Sequence, residues 1–263
     1  MQESLYIAAS GGMIQQRKME TLANNLANVS TSGFKKDSLV FKEILPGLNP
    51  NLDFESSKQA LQEPRYSNRS VSYAGLTDFA THYSQGGLTA TQNPLDLALE
   101  GDGFFKVGTE EGPRYTRKGN FHLDENNRIV SASGLPLLSP KDQEIVVPSN
   151  GGTITIDPQG TVTVGDAVQA ITVGKLDVVH FGDKSQLKKD GESLFRQVAG
   201  DPPEKAPAST TIRQGFVESS NVNLVQEMTT MIQTIRTFEA MQKLIQTIDD
   251  LNGQSINSIA RVA

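Results

Sequence analysis

Cysteine is missing from this chain of 263 residues. Its absence excludes disulfides, thiolate metal sites and cysteine nucleophiles. It does not place the chain, because a cysteine-free protein suits either a reducing or an oxidising compartment. Long apolar runs are missing as well. No stretch approaches the ~20 apolar residues of a membrane helix, so direct membrane insertion is not expected. The N-terminus, Met1-Gln2-Glu3-Ser4-Leu5-Tyr6, has no basic n-region and no continuous apolar h-region. General secretory export is therefore not expected, and work outside the cytoplasm would need another route. Basic blocks are lacking too. The net charge is −6, and pairs such as Lys35-Lys36 and Lys188-Lys189 read as solvated surface. Nothing in the charge argues for nucleic acid or anionic lipid.

Catalytic motifs are equally scarce. His82, His122 and His180 lie far apart, with no metal-ligand spacing around them, and no metal or cofactor is expected. Gly101-Asp102-Gly103 lacks the third glycine and following helix of a dinucleotide fingerprint. No Walker motif or Gly-x-Ser-x-Gly elbow is present. Asp96, Glu100 and Asp102 cluster in sequence, which leaves a carboxylate hydrolase acting on cell-wall glycan as an alternative reading. A binding module on a coiled-coil stalk is another.

What the chain does have is helical periodicity at both ends. Leu5, Ala8, Gly12, Gln15, Met19, Leu22, Leu26 and Val29 recur at steps of three and four, a heptad seam with small residues in it. Gly11-Gly12 would cost an isolated helix roughly 1–2 kcal/mol relative to alanine, so close approach by a neighbour is expected there. Asn24, Asn25 and Asn28 are poor helix formers whose amides can bond neighbouring chains. Gly33 reads as the C-terminal stop, with Phe34 after it. At the other end Met228, Met231, Ile235, Phe238, Met241, Ile245 and Ile248 share one face. Asn223 reads as the N-cap, with Gln226 placed for a capping box and Glu227 suited to the helix dipole. A helix over 224–251 would be about 40 Å long and needs a partner.

Between the ends the pattern changes. Residues 35–80 read as an extended connector with one short element at the apolar cluster Val40, Phe41, Ile44 and Leu45. A break at 46–51 is followed by a polar stretch at 56–72, whose polarity suits ordering on assembly. Residues 81–214 carry short alternating segments bounded by glycine and proline, the signature of a sandwich or irregular barrel. Among them are Leu97-Ala98-Leu99-Glu100, Phe104-Phe105-Lys106-Val107, Ile145-Val146-Val147, Thr153-Ile154-Thr155-Ile156 and Thr161-Val162-Thr163-Val164, with turns such as Asp124-Glu125-Asn126-Asn127. The fold class is α+β: a discontinuous, coiled-coil-like helical domain (1–34 and 215–263) with a mainly-β domain inserted.

Several motifs, in order, carry a resemblance. They are Ala23-Asn24-Asn25-Leu26-Ala27-Asn28 with Thr31-Ser32-Gly33-Phe34; then Pro94-Leu95-Asp96-Leu97-Ala98-Leu99-Glu100-Gly101-Asp102-Gly103-Phe104-Phe105; then Tyr115-Thr116-Arg117-Lys118-Gly119-Asn120-Phe121; then Gln214-Gly215-Phe216-Val217-Glu218-Ser219-Ser220-Asn221-Val222-Asn223 with Glu227-Met228, Met231-Ile232 and Arg236. Together they resemble the flagellar basal-body rod protein family. The stretch 238–250, and Gly174-Lys175-Leu176 with Asp190-Gly191-Glu192-Ser193-Leu194-Phe195-Arg196, are most similar to its proximal F type, with the distal G type second. Asn126-Asn127 and Asn150 stand where glycine turns are common in that family.

The resemblance implies a structural subunit without an enzyme site, exported unfolded through the flagellar type III apparatus into the periplasmic rod. Its partners would be proximal and distal rod proteins and neighbouring axial subunits. The terminal helices would pair and line a tube, with the β domain outside. The expected assembly surface is Leu5, Ala8, Gly12, Met19, Leu22, Asn24, Asn25, Leu26, Asn28 and Val29, then Asn221, Asn223, Met228, Met231, Ile235, Phe238, Met241, Ile245 and Ile248.

Overall fold

The structure, a computed structural model, describes residues 2–44, 73–148, 152–166 and 169–260. It is an α+β chain that divides into two compact units. A helical unit takes Met1–Leu26, Asp37–Ala80 and Leu224–Ala263, and a β unit takes Ala27–Lys36 and Thr81–Asn223.

In the helical unit, α1 spans Gln2–Ala27 and α2 spans Leu224–Ala260. They run antiparallel where they touch. A methyl group on Gly11 would lie 3.4 Å from Met241 Cε, and one on Gly12 would lie 3.9 Å from the Phe238 ring. Farther along, Asn25 meets Glu227. The glycines that weaken α1 on propensity thus lie where the Met241 and Phe238 side chains of α2 pack. Helix α1 stops before Asn28, whose carbonyl and side chain take the Thr31 amide (3.1 Å) and hydroxyl (3.2 Å). Such local bonds compete with the helix ladder, so Asn28 and Val29 lie beyond the helix, in the β unit. The stop is six residues earlier than the one read at Gly33.

The buried face of α2 also differs from the expected stripe. Glu227 and Thr234 are buried, while Met228 and Ile235 are exposed. With the half-buried Met231, Phe238, Met241, Ile245 and Ile248, the inward seam keeps steps of four and three. Thr234 tolerates burial because its hydroxyl donates to the Thr230 carbonyl, 2.8 Å away. The stretch read as a connector contributes Asp37–Ile44 and Tyr73–Thr81, paired as a two-stranded ribbon. The rest of that stretch, and Asn150, lie outside the described residues.

In the β unit a six-stranded sheet runs in the order Leu187–Lys189, Leu194–Gln197, Gly112–Thr116, Phe104–Thr109, Val178–His180, Glu204–Lys205. A three-stranded sheet joins Gln169–Lys175, Thr161–Asp166 and Thr153–Ile156. Phe104 and Phe105 are neighbours on one strand, so they point to opposite faces. Phe105 enters the larger core with Leu97, Ile129, Leu137 and Val162. Phe104 enters a second cluster with Tyr115, Phe181 and Phe195, where it packs edge-on to Phe181 and Phe195 at 5.9 and 5.5 Å. Ile145 and Val147 are buried in the larger core, but this segment pairs only through an isolated bridge between Val146 and Arg128 and is not a regular strand.

One turn design recurs in this unit. At Asp124, Ser131, Ser139 and Asp157 a side-chain oxygen accepts the amide four residues on. The residue three on, Asn127, Gly134, Asp142 or Gly160, has φ between 56° and 87°. Asn127 therefore stands at a left-handed position, which asparagine tolerates better than other side chains do.

The two aspartate turns respond to acid. The Arg128 amide, its guanidinium and the Asn126 amide hold the Asp124 carboxyl below its ordinary value. Burial pushes Asp157 up, but the Thr161 and Gln159 groups outweigh it and the net shift is down. A folded pKa below the unfolded one means that the unfolded chain binds more protons in acid. The stability these groups add is complete above the ordinary carboxylate pKa and is lost as pH falls through the depressed values. The urea midpoint should fall as pH drops below about 4, and Asp124→Asn should flatten part of that slope. A midpoint unchanged down to pH ~2 would contradict this.

Candidate functional site

Three separated motifs converge on one carboxylate in the β unit. Glu218 is 0 % exposed, Lys35 1 % and Arg117 3 %. Lys35 Nζ donates to Glu218 Oε1 at 2.5 Å and to the Ser84 carbonyl at 2.8 Å. The Gly86 amide donates to the same Oε1 at 2.9 Å. Arg117 Nη1 donates to Oε2 at 3.1 Å, and its Nη2 donates to the Gly101 carbonyl at 2.7 Å. The guanidinium also lies 5.4 Å from the Phe104 ring centroid. Burial pulls the Lys35 ammonium below the usual lysine range, against the attraction of Glu218.

The backbone closes around this cluster. The Gly33 amide donates to the Glu218 carbonyl at 2.7 Å. Gly33 has φ +68°, and a methyl group there would sit 2.4 Å from the Arg117 carbonyl carbon. Gly33 is thus fixed by close approach as well as by its φ. Asn221 Nδ2 donates to the carbonyls of His82 (2.7 Å) and Ser84 (3.1 Å), and its Oδ1 accepts the Lys36 amide at 2.7 Å. Lys189 Nζ reaches the Lys35 carbonyl and lies 4.1 Å from the Phe34 ring centroid. The segments flanking the points where the chain enters and leaves this unit, at Lys36, Thr81 and Asn223, are therefore bonded to one another.

A second knot lies in the helical unit. Asn25 is 1 % exposed. It accepts the Asp37 amide at 3.0 Å, donates to the Asp37 carbonyl at 2.9 Å, and lies 3.4 Å from Glu227 Oε2. One side chain thereby ties α1, the ribbon and α2 together.

The expected surface residues divide accordingly. Ala8, Gly12 and Leu22 are buried in the helical unit, while Met19 and Leu26 are partly so. Asn25 and Asn221, expected to reach other chains, bond within this one because their amides satisfy backbone groups here. Asn24, Asn223, Met228 and Ile235 face outward. The Leu5 side chain lies outside the described ones. Lys35 is not solvated surface, since Glu218 balances its charge in the interior. Sequence reasoning missed this trio. The available signal was weak: Arg117 and Glu218 sit inside the quoted motifs, and Lys35 directly follows one.

Chemically the cluster is a latch. Both Glu218 oxygens are engaged and solvent does not reach them. The hydrolase candidates are also engaged. Asp96 accepts from Asn120 at 3.2 Å, Glu100 pairs with Arg213 at 2.7 Å, and Asp102 pairs with Lys184 at 2.8 Å. The Lys184 contact holds Asp102 below the usual carboxylate range, against burial, the opposite of what a general acid needs. No metal-binding group of three acidic, histidine or cysteine residues occurs among the described residues.

Glu218→Gln should strand two buried cations. The loss should be about 3–5 kcal/mol in urea unfolding of the full chain; a loss under ~1 kcal/mol would show that the latch is not needed.

Comparison with known proteins identifies the same stretches. The family description "Flagella basal body rod protein" matches residues 5–35. "Flagellar hook protein FlgE/F/G D1 domain" matches residues 98–164, and "Flagellar basal body rod FlgEFG protein C-terminal" matches residues 213–259. The flagellar basal-body rod protein FlgG of Buchnera aphidicola subsp. Schizaphis graminum is 36% identical over 264 residues, 94% of this chain and 96% of its own. FlgF of Caulobacter vibrioides is 33% identical over 267 residues, with all of both chains covered. FlgG of Borreliella burgdorferi is 34% identical over 269 residues, 98% of each. Relatedness of this extent, with the matched ends and centre supplying both knots, makes the chain a member of the flagellar basal-body rod protein family, a structural family and not an enzyme class.

Proposed function

We propose that this chain is an axial subunit of the flagellar rod that polymerises through its terminal helices, in the proximal, F-type position. The observation that carries the polymer reading is the apolar surface left open on the helical unit. Val225, Met228, Ile232, Leu244 and Leu251 of α2 are exposed, and clusters of exposed apolar side chains of this kind mark interaction sites. Helices gain most of their stability from packing on neighbours, so subunits joining side by side would complete the burial. The outward residues of the expected surface, Asn24, Asn223, Met228 and Ile235, would contribute to that joint. In this reading the helices line the tube and the β unit faces outward. The subunit reaches the periplasmic rod through the flagellar type III apparatus, and its neighbours are other proximal and distal rod proteins.

End-to-end coverage of the Caulobacter FlgF chain supports the F type. The higher identity to the Buchnera FlgG supports the distal G type as the second reading.

Imaging basal bodies from a strain lacking this gene tests both. Under the leading reading the rod stops short in its proximal part. Loss of the distal part alone would favour the G type, and a complete rod would overturn the proposal. Removing residues 2–26 or 224–260 should abolish swimming while a β unit with native unfolding behaviour persists. The cut is placed at 26 because Gly33, Phe34 and Lys35 belong to the latch. Normal swimming from either truncation would count against it.

A further inference from the structure

The exposed apolar residues of α2 form two patches at different heights on one helix. Val225, Met228, Ile232 and Ile235, at steps of three and four, are between 37 and 72 % exposed. Leu244 and Leu251, seven residues apart and so on one face, are each 53 % exposed. Neither patch belongs to the seam facing α1, which Phe238 and Met241 occupy. The centres of the two patches are separated by about 26 Å along the helix at roughly 1.5 Å per residue. Charged residues flank both: Arg236 follows the first patch, Lys243 precedes Leu244, and Asp249 and Asp250 precede Leu251.

We infer that α2 of one copy docks on α2 of the next in a staggered, same-direction contact, Leu244 and Leu251 seating on the Val225–Met228–Ile232–Ile235 stripe. The inference rests on the rod reading and specifies its joint. Two different patches on one helix cannot satisfy each other within a closed two-fold pair in this same-direction arrangement. A heterologous contact repeats from copy to copy and generates an open array. A stagger of about 26 Å brings Leu251 between the levels of Ile232 and Ile235 and Leu244 between those of Val225 and Met228, with Arg236 about one turn from the level of the neighbour's Asp249 and Asp250. Opposite charge across the joint also fixes direction, because reversing one helix would carry the acidic pair away from the arginine.

The lack of native cysteine makes the test clean. Copies carrying Ile232→Cys alone and Leu251→Cys alone are expressed together, and basal bodies are treated with a short bis-maleimide. The expected result is a heterodimer from the mixture, little product from either variant alone, and a ladder of multimers from the double variant. Met228→Cys with Leu244→Cys is a second pair, and the two pairs bracket the proposed stagger from either side. For a variant kept out of basal bodies, the same mixtures are read on purified full chains concentrated until they associate. Homodimers from one single variant would overturn the inference in favour of a two-fold contact. Absence of any link among subunits that do incorporate would also overturn it while leaving the rod reading intact. Absence of the unmodified subunit from basal bodies would instead remove the reading on which it rests.

Discussion

A carboxylate held entirely out of water needs its charge matched nearby, and much of the β unit's sequence is arranged around supplying that match to Glu218. Taking an ion out of water costs several kcal/mol even after relaxation, and only close, well-bonded counter-charges offset it. Lys35, Arg117 and the Gly86 amide do so from three distant parts of the chain. Each in turn constrains its own neighbourhood. Two residues before Lys35, Gly33 passes tightly against the Arg117 backbone. Arg117 is held in place by the Gly101 carbonyl as well as by Glu218. The recognisable motifs are therefore one physical object, read as separate strings because the chain visits it several times.

The helical unit solves a different problem with the same means. Its seam contains polar groups, Asn25, Glu227 and Thr234, where apolar side chains would pack more simply. Asn25 satisfies both backbone groups of Asp37, and Thr234 satisfies itself. Polar groups in a seam cost stability but specify one register. The apolar residues displaced from the seam, Met228 and Ile235, lie on the outside, where the proposed rod joint would cover them. Glycine at Gly11 and Gly12 is read in the same way: weak on propensity, it is where Met241 and Phe238 approach α1.

Much of this was legible in the sequence. The terminal heptads placed both helices, and alternating residues placed the strands at Leu97, Phe104, Thr153 and Thr161. Periodicity alone could not choose between Glu227 and Met228, or Thr234 and Ile235, as the inward residue. Adjacent positions differ by one step around the helix, and hydropathy votes for the apolar one. The helix end at Ala27 was hidden because Asn28 and Thr31 stop it through a local side-chain turn, whereas Gly33 looked like the stronger stop. The pairing of Asp37–Ile44 with Tyr73–Thr81 was not legible because the two strands lie far apart in sequence, separated by a long polar stretch. Lys35 looked like surface because a lysine's burial depends on a glutamate 183 positions away.

The most direct test of this account is a double-mutant cycle on Lys35 and Glu218. Lys35→Met and Glu218→Gln are made singly and together, and the full chain is unfolded in urea. If the burial of one charge depends on the other, the two single losses together exceed the loss of the double variant by a coupling of about 2–3 kcal/mol. Additive losses, with a coupling below ~0.5 kcal/mol, would mean that the two charges are buried independently and that the motifs meet there for some other reason.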